Sequence, residues 1–306
     1  MSRVAVIDCG TNSIRLLIAD PSPAGLAEID RRVEVVRLGQ GVDATGAFHP
    51  DAVARTFAAI DGYAAEIERH GVEKVRFVAT SASRDVANRD EFEAGVRARL
   101  GVGVDVLTGD EEARLSFAGA LAVLQGRSSV ASGEVLVTDI GGGSTELVLG
   151  ERDGSVVAAT SLDVGAVRLR ERFLHSDPVT PDERDEATAF VDDLLDTCGV
   201  DLHAATWIGV AGTMTSMAAI HHGLREYDRS RVHGSLLTPS DVEALTERLI
   251  SSPVTDLEKI PTLAPMRAQV IGGGALICER IARRVGAGLI VSETDILDAV
   301  ALELLG

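Results

Sequence analysis

Residues 135–150, VLVTDIGGGSTELVLG, place three glycines, a serine and a threonine between two apolar runs. Short apolar runs bounded by glycine are typical of buried strands, so the segment predicts a β-hairpin with a glycine-rich turn. An acidic residue stands on each side of the turn, Asp139 before it and Glu146 after it. Residues 4–20, VAVIDCGTNSIRLLIAD, are built to the same plan.

The two hairpins indicate an internal duplication. Aligning Asp8 with Asp139, an offset of 139 − 8 = 131, also superimposes the glycine and the serine that follow each aspartate. Farther along, residues 74–87 (KVRFVATSASRDVA) resemble residues 207–218 (WIGVAGTMTSMA) at an offset of 132. Each half therefore predicts a strand–turn–strand hairpin and, later, a strand that leads into a helix N-terminus.

The remaining segments predict alternating helices and strands. A His-Pro pair opens a helix over residues 49–70, with apolar residues on one face and a glycine at its end. The sequence TPDE at 180–183 predicts a capping box and a helix running to about residue 198. The fold class is therefore α/β, with two related domains at residues 1–125 and 126–306 and a cleft between them. We expect the last helix, about 293–306, to return to the first domain.

Composition excludes several classes of function. A net charge of −18 disfavours nucleic acid as a partner, because a phosphate backbone needs a basic face. No apolar run is long enough to span a bilayer, and the N-terminus lacks the architecture of a signal peptide. The three cysteines are far apart, which disfavours disulfides and a zinc site. We expect a cytoplasmic protein that binds no membrane.

The glycine-rich turns are suited to phosphate. Glycine permits positive φ and close approach of the backbone, and successive amides form concave anion sites. Asn12 and Ser13 in the first turn, and residues 141–145 in the second, supply N–H and hydroxyl donors. One such turn is more often plain architecture, but two related copies favour a clamp for a phosphate chain. The strand-to-helix junctions at 80–84 and 212–216 add amides that serve either an anion or ordinary capping.

Carboxylates beside a phosphate imply a cation between them. Mg²⁺ keeps several waters and takes one or two carboxylates together with phosphate oxygens. Asp139 and Glu146, together with Asp8, are the predicted ligands of Mg²⁺, with Mn²⁺ as a substitute.

Five segments resemble the signatures of one family. They are D8CGTNS13, T80SASRDVAN88, G109DEEARL115, D139IGGGSTEL147 and G212T213. In this order they are similar to the exopolyphosphatase/guanosine pentaphosphate phosphatase family, which belongs to the sugar kinase, actin and heat-shock chaperone superfold. The resemblance implies duplicated actin-like, ribonuclease H-like domains, and only the resemblance suggests a homodimer.

The resemblance also implies roles for two neighbouring glutamates. The catalytic carboxylate of the family, which activates the attacking water, matches Glu112. In-line attack on a terminal phosphoryl group needs a base to orient water, so the assignment is chemically sensible. A first-turn glutamate favoured by the helix dipole is the structural alternative. Glu111 remains the alternative base, because neighbours on a helix point about 100° apart.

Further positions follow for phosphate and metal. The metal and phosphate residues of the family match Asp139, Gly141 and Glu146, and a phosphate-binding arginine matches Arg84. The complete set predicted to bind phosphate is Asn12, Ser13, Arg84, Gly141, Gly142, Gly143, Ser144, Thr145, Gly212, Thr213 and Arg267. For Arg267, a solvated or ion-paired role is equally consistent with the sequence.

The expected function is Mg²⁺-dependent release of the terminal phosphate from inorganic polyphosphate. The sequence stops at Gly306, without the helical domain of longer relatives, so we expect action on short chains. The alternative substrate is guanosine pentaphosphate, although Gln269 stands where the family has aspartate. Two other classes remain, an ATP-dependent small-molecule kinase and a non-catalytic nucleotide sensor.

Overall fold

The structure is a computed structural model that describes residues 2–23, 25–84, 86–124, 133–204 and 206–306. The chain forms two compact units, one of residues 1–115 and 296–306 and the other of residues 116–295. The division falls inside the helix Gly109–Ala120. The predicted domain boundary between residues 125 and 126 lies outside the described residues.

The first unit is built on a five-stranded mixed sheet. Its strands are β1 (Val4–Cys9), β2 (Ser13–Ser22), β3 (Gly25–Val35), β4 (Lys74–Ala79) and β5 (Val104–Val106). They lie in the order β3-β2-β1-β4-β5. β1 pairs antiparallel with β2 and parallel with β4, and β4 pairs parallel with β5. β1 lies in the middle of the sheet, where all its residues are buried.

Helices cover both faces of this sheet. They are α1 (Val42–Thr45), α2 (Pro50–Arg69), α3 (Arg89–Leu100) and α4 (Gly109–Ala120), with a short 3₁₀ turn at Ser81–Ser83. The long helix predicted over residues 49–70 is observed as α2, capped by the His49 side chain. The last helix of the chain, Ile296–Leu305, covers the opposite face, where Val300 packs in a core cluster with Val4 and Val6.

The second unit repeats this sheet. Its strands are β6 (Val135–Ile140), β7 (Thr145–Gly150), β8 (Val156–Leu162), β9 (Thr206–Val210), β10 (Leu236–Leu237) and β11 (Leu289–Val291). Their order, β8-β7-β6-β9-β11-β10, begins with the same connectivity and strand directions as the first sheet. The duplicated α/β fold predicted from the sequence is therefore confirmed.

The helices of the second unit position its strand ends. They are α5 (Ala166–Phe173), α6 (Pro181–Asp196), α7 (Ala211–His221), α8 (Arg229–Val232), α9 (Pro239–Ser251), α10 (Val254–Leu257), α11 (Pro265–Ala268) and α12 (Ile271–Val285), before the last helix, α13 (Ile296–Leu305). α6 begins with the predicted capping box at Thr180. α12 is buried, and a Cβ at Gly274 would lie 2.7 Å from Thr213 Oγ1. This glycine therefore lets α12 lie directly against α7. Across the described ranges, no helix is both long and apolar enough to cross a membrane.

Candidate active site

The turn between β1 and β2 directs its carbonyls into the fold. Gly10 N donates to Ser13 O at 3.0 Å and closes the turn. Asn12 O accepts from Val36 N and Arg37 N, and Thr11 O accepts from the following segment at residue 39. Within the described residues, no acceptor receives the N–H of Thr11 or of Asn12, and Asn12 Oδ1 is buried without a hydrogen-bond partner. The turn thus presents unused polar groups.

The turn between β6 and β7 has the same arrangement. Gly141 N donates to Ser144 O at 3.0 Å, while the carbonyls of Gly141 and Gly142 accept from the first amides of α5. The N–H groups of Gly142, Gly143 and Ser144 donate to no acceptor in the part of the chain that the structure describes. Thr145 is buried, and its hydroxyl already donates to a backbone carbonyl at 2.6 Å. The available donors of this turn are therefore its three successive amides.

Positive φ does not explain the glycines that begin the two turns. Gly10 and Gly141 do not have left-handed φ values, so the expectation that these glycines supply positive φ is wrong. Close approach matters most at Gly165, just before α5. A Cβ at Gly165 would lie 2.5 Å from the carbonyl carbon of Gly142 and 2.7 Å from Gly143 N. Gly165 therefore allows the N-terminus of α5 to hold the carbonyls of the second turn.

Two carboxylates lie side by side behind the second turn. Asp139 on β6 is the direct cross-strand partner of Glu146 on β7. Their exposed fractions are 6 % and 1 %. Ser116 Oγ donates to Asp139 Oδ2, and Ser161 Oγ donates to Glu146 Oε1, each at 2.8 Å. The two serine hydroxyls fix the orientation of both carboxylates. These hydrogen bonds also offset part of the free-energy cost of burying two acids at paired positions.

The first hairpin carries a different pair at the same place. There Asp8 on β1 faces Arg15 on β2, and the guanidinium donates twice to Asp8 Oδ2, at 2.6 and 3.0 Å. The alignment offset of 131 places Arg15 on Glu146. One hairpin therefore holds a neutral ion pair, and the other holds two acids. Of the three predicted metal ligands, Asp139 and Glu146 fit the prediction better than Asp8.

The donor set behind the second turn fits Mg²⁺. Asp139 and Glu146 offer only oxygen ligands and supply the two carboxylates that Mg²⁺ usually takes. In the described ranges, the one group of three candidate ligands within mutual reach lies elsewhere, at Asp30, Glu66 and His70. Arg32 already bridges Asp30 and Glu66, at 2.8 Å to each, so a cation there would have to displace a guanidinium.

Glu112 lies one residue from Glu111 but in a different environment. It is 8 % exposed on the first turn of α4 and accepts a hydrogen bond from Arg84 Nη2. Arg84 Nε is fixed by donation to Leu107 O at 3.0 Å. The structure thus brings Glu112 and Arg84 together as an ion pair. The rigid guanidinium of Arg84 orients the carboxylate of Glu112.

Glu111 caps the helix. Its Oε2 accepts from Thr108 N at 2.9 Å and from Thr108 Oγ1 at 2.8 Å, and its own N–H returns a bond to that hydroxyl. These hydrogen bonds, first from the backbone and then from the hydroxyl, lower the pKa of Glu111. The capping box accounts for Glu111, so Glu112 is the better candidate for a base.

The N-terminus of α7 gathers three of the predicted phosphate residues. Arg267 Nη1 lies 3.4 Å from Gly212 O and 3.3 Å from Ser216 Oγ. Thr213 Oγ1 donates to the backbone at the end of β6 at 3.2 Å, which ties α7 to the strand that precedes the second turn. Ala211 begins the helix with φ 67°, a left-handed value that costs about 1–2 kcal/mol for a non-glycine residue. A left-handed residue followed by helical ones forms an amide nest suited to anions.

Sequence reasoning missed three residues of this site. Ser161 lies on β8, whose pairing with β7 no sequence pattern indicates, and Gly165 follows that strand. The sequence could have indicated Ser116, because it lies one helical turn after Glu112 on α4.

A duplicated α/β fold with amide-presenting turns and a buried acidic pair is typical of proteins that bind phosphate compounds. Residues 17–292 match the model of the Ppx/GppA phosphatase family, and the chain belongs to that family. It is 47 % identical to exopolyphosphatase 2 of Mycobacterium tuberculosis over 325 aligned positions, covering 100 % of this chain and 99 % of the relative. The crystal structure of an exopolyphosphatase-like protein superposes with a TM-score of 0.93 at 40 % identity, over 100 % of this chain and 99 % of that one.

A second relative carries another substrate in its name. The guanosine-5'-triphosphate,3'-diphosphate pyrophosphatase of Vibrio cholerae is 30 % identical over 89 % of this chain and 57 % of its own length. The predicted family and fold class, and the prediction of a phosphate-hydrolysing enzyme, are confirmed by these comparisons.

Proposed function

We propose that this protein is an exopolyphosphatase that releases the terminal phosphate of linear inorganic polyphosphate. The observation that carries the proposal is the shared design of the two turns. In both, backbone amides of the fold donate to the carbonyls, and successive amides of the turn have no acceptor within the described ranges. The name and full-length similarity of the M. tuberculosis relative support polyphosphate as that substrate.

Each group has a distinct task in the proposed reaction. The amides of Gly142, Gly143 and Ser144 hold the equatorial oxygens of the phosphate chain, where preorganised donors stabilise developing charge. Asp139 and Glu146 would hold Mg²⁺, with Mn²⁺ as a substitute, and the ion would neutralise charge on the phosphate oxygens. No other step depends on the ion.

Glu112 completes the proposed site. Arg84 holds its carboxylate by one oxygen, so the group has a fixed orientation. Glu112 is assigned to orient the water that attacks the terminal phosphorus. The carboxylate of Glu112 also accepts a proton from that water. Attack forms one P–O bond and breaks the anhydride bond on the opposite side. The shortened chain leaves as an anion.

The test compares tripolyphosphate, long-chain polyphosphate and guanosine pentaphosphate as substrates of the wild type, Glu112→Gln and Glu111→Gln. We expect Glu112→Gln to lower kcat about 10²–10⁴-fold, since general-base catalysis contributes that much. Glu111→Gln, the matched neighbour, is expected to change kcat only a few-fold. Failure of the wild type to release phosphate from polyphosphate of any length rejects the proposal.

The second candidate is the same chemistry on guanosine pentaphosphate. The similarity to the V. cholerae enzyme favours it, although that relative extends well beyond the aligned region. A wild-type kcat/KM that is higher for guanosine pentaphosphate than for either polyphosphate would establish this alternative.

A further inference from the structure

Two hydroxyls connect the turn between β1 and β2 with the 3₁₀ turn that precedes Arg84. Thr11 Oγ1 and Ser81 Oγ lie 2.9 Å apart, and either can donate to the other. Thr11 is 7 % exposed, and Ser81 begins the 3₁₀ turn that follows β4. The pair is therefore a specific contact between distant parts of the sequence, and it lies wholly inside the first unit.

Thr11 is also held by the segment that follows β3. Its carbonyl oxygen accepts from Gly39 N at 2.9 Å. A Cβ at Gly39 would lie 2.3 Å from Thr11 Cγ2 and 3.2 Å from the Cβ of Ala82 in the 3₁₀ turn. The missing side chain of Gly39 thus lets three segments close on one point. Thr11 is fixed at that point through its carbonyl, its methyl group and its hydroxyl.

The 3₁₀ turn passes this position on to the candidate base. Backbone bonding between β1 and the segment after β4 ends where Thr80 N donates to Cys9 O at 3.2 Å. Beyond that bond, the hydroxyl pair is the hydrogen bond that ties the 3₁₀ turn to the first turn among the described residues. Arg84 N in turn donates to Ser81 O at 3.3 Å, and the Arg84 side chain donates to Glu112. A series of hydrogen bonds therefore joins the first turn to the Glu112 carboxylate.

The second unit carries a hydroxyl at the equivalent position. The offset between the halves, 213 − 81 = 132, places Ser81 on Thr213. Thr213 Oγ1 donates at 3.2 Å to the carbonyl of Ile140, the last residue of β6. In both units, a side-chain hydroxyl thus ties the junction after a central strand to the hairpin beside it. The acceptor differs between the units, but the connection is the same.

We propose that Thr11 and Ser81 are positioning residues, whose hydroxyl pair sets the place of Arg84 and, through it, the orientation of the Glu112 carboxylate. This inference rests on the proposed function and adds the residues that prepare its base. A catalytic group keeps its productive orientation only when the residues that hold it are themselves fixed by packing and hydrogen bonds. The same pair keeps the unused amides of the first turn in a constant relation to the base.

Thr11→Val and Ser81→Ala each remove one hydroxyl, and valine retains the methyl group at Cγ2. Each variant is expected to lower kcat for polyphosphate about tenfold with KM unchanged, which is less than the roughly 10²-fold cost of a 1 Å misplacement because Arg84 keeps its backbone acceptor. Thr11→Ser retains the hydroxyl and should have the kcat of the wild type. Ser83→Ala is the matched control, because it removes from the same 3₁₀ turn a hydroxyl that has no partner within the described ranges. Its kcat should equal that of the wild type.

The decisive measurement repeats Thr11→Val in the Glu112→Gln background. A residue that acts through the base has no further effect once the base is lost, so Thr11→Val/Glu112→Gln should be as slow as Glu112→Gln alone. A second loss of about tenfold in the double variant would show that Thr11 acts independently of the base, and it would overturn the inference. Wild-type kcat in both Thr11→Val and Ser81→Ala would overturn it as well.

Failure of the proposed function can be told apart from failure of this inference. If the wild type releases no phosphate from polyphosphate or from guanosine pentaphosphate, the proposed function fails by itself. Crystal structures of the wild type, Thr11→Val and Ser83→Ala, superposed on β1 and β4, then decide about the hydroxyl pair. An Arg84 guanidinium that is displaced in Thr11→Val but not in Ser83→Ala supports the inference, and one that keeps its place in Thr11→Val overturns it. Should Thr11→Val fail to unfold cooperatively in urea, Ser81→Ala takes its place in every comparison.

Discussion

Gly165→Ala is expected to displace the second turn. The backbone at Gly165 is extended, with φ −149°, so alanine adopts it without strain and the effect comes from contact alone. The new Cβ would lie 2.5 Å from the carbonyl carbon and 2.6 Å from the oxygen of Gly142, and 2.7 Å from Gly143 N. Non-bonded carbons prefer about 3.5–4.0 Å, so the peptide must move by roughly 1 Å.

The displacement has two measurable effects. Forced contacts in a packed region cost about 1–3 kcal/mol, so the free energy of unfolding should fall by that amount. The moved peptide carries the Gly143 amide, one of the three assigned to the phosphate oxygens, and a displacement of about 1 Å in a catalytic site costs roughly 10²-fold in rate. We therefore expect kcat for polyphosphate to fall about a hundredfold under conditions where the variant remains folded.

Urea unfolding and phosphate release measure the two effects on the same preparations. Gly62→Ala is the control, because Gly62 lies within α2 with no atom near its missing Cβ. That substitution should raise the free energy of unfolding by about 1 kcal/mol and leave kcat unchanged. A Gly165→Ala variant that is destabilised but retains wild-type kcat would show that the amides of the second turn do not hold the reacting phosphate.

Three further predictions concern the metal, acid stability and a buried hydroxyl. Chelation of divalent ions should abolish phosphate release. In a titration of rate against free Mg²⁺, Asp139→Asn should weaken activation by Mg²⁺ at least tenfold. Activation equal to that of the wild type would exclude Asp139 as a ligand. Partial burial would raise the pKa of Glu183, but hydrogen bonds led by that from Thr180 N lower it from 4.5 to about 2. The stabilisation by the Glu183 carboxylate is thus complete above pH 4.5 and is lost towards pH 2. The difference in unfolding free energy between wild type and Glu183→Gln should therefore vanish as the pH falls over that range. A difference that stays constant would contradict the assignment. Ser83 Oγ is buried without a hydrogen-bond partner in the described residues, so Ser83→Ala should raise the unfolding free energy by about 1 kcal/mol in urea; a clear loss would reveal a partner.

The repeated strands were predictable because their residues are almost all apolar. β1, β6 and β7 are buried throughout, β2 is buried over residues 16–19, and the constant offset between the halves identifies them as copies. The third strand of each sheet, β3 or β8, lies at a sheet edge and is only partly buried. Glu28 and Glu34 are exposed on β3, and Val156 and Val157 are exposed on β8, so neither strand shows the pattern of a buried strand.

The site was predictable in its residue types and less so in its contacts. Motifs identified Glu112, Arg84 and Asp139, but not that Arg84 holds the candidate base, because that ion pair joins residues 28 positions apart. The contact of Gly165 with Gly142 depends on how β8 leads into α5, which local sequence does not determine. The difference between Arg15 and Glu146 was visible in the alignment, although its meaning required the strand register.

That difference between the hairpins has a consequence for direction. Two identical halves would offer a linear polyanion equivalent places, and neither terminus would be distinguished. The first hairpin instead sets Arg15 against its aspartate, where the second has a glutamate beside the corresponding aspartate. One charge-reversing substitution after the duplication is therefore enough to make the two copies electrostatically different, because only the second hairpin pairs two carboxylates.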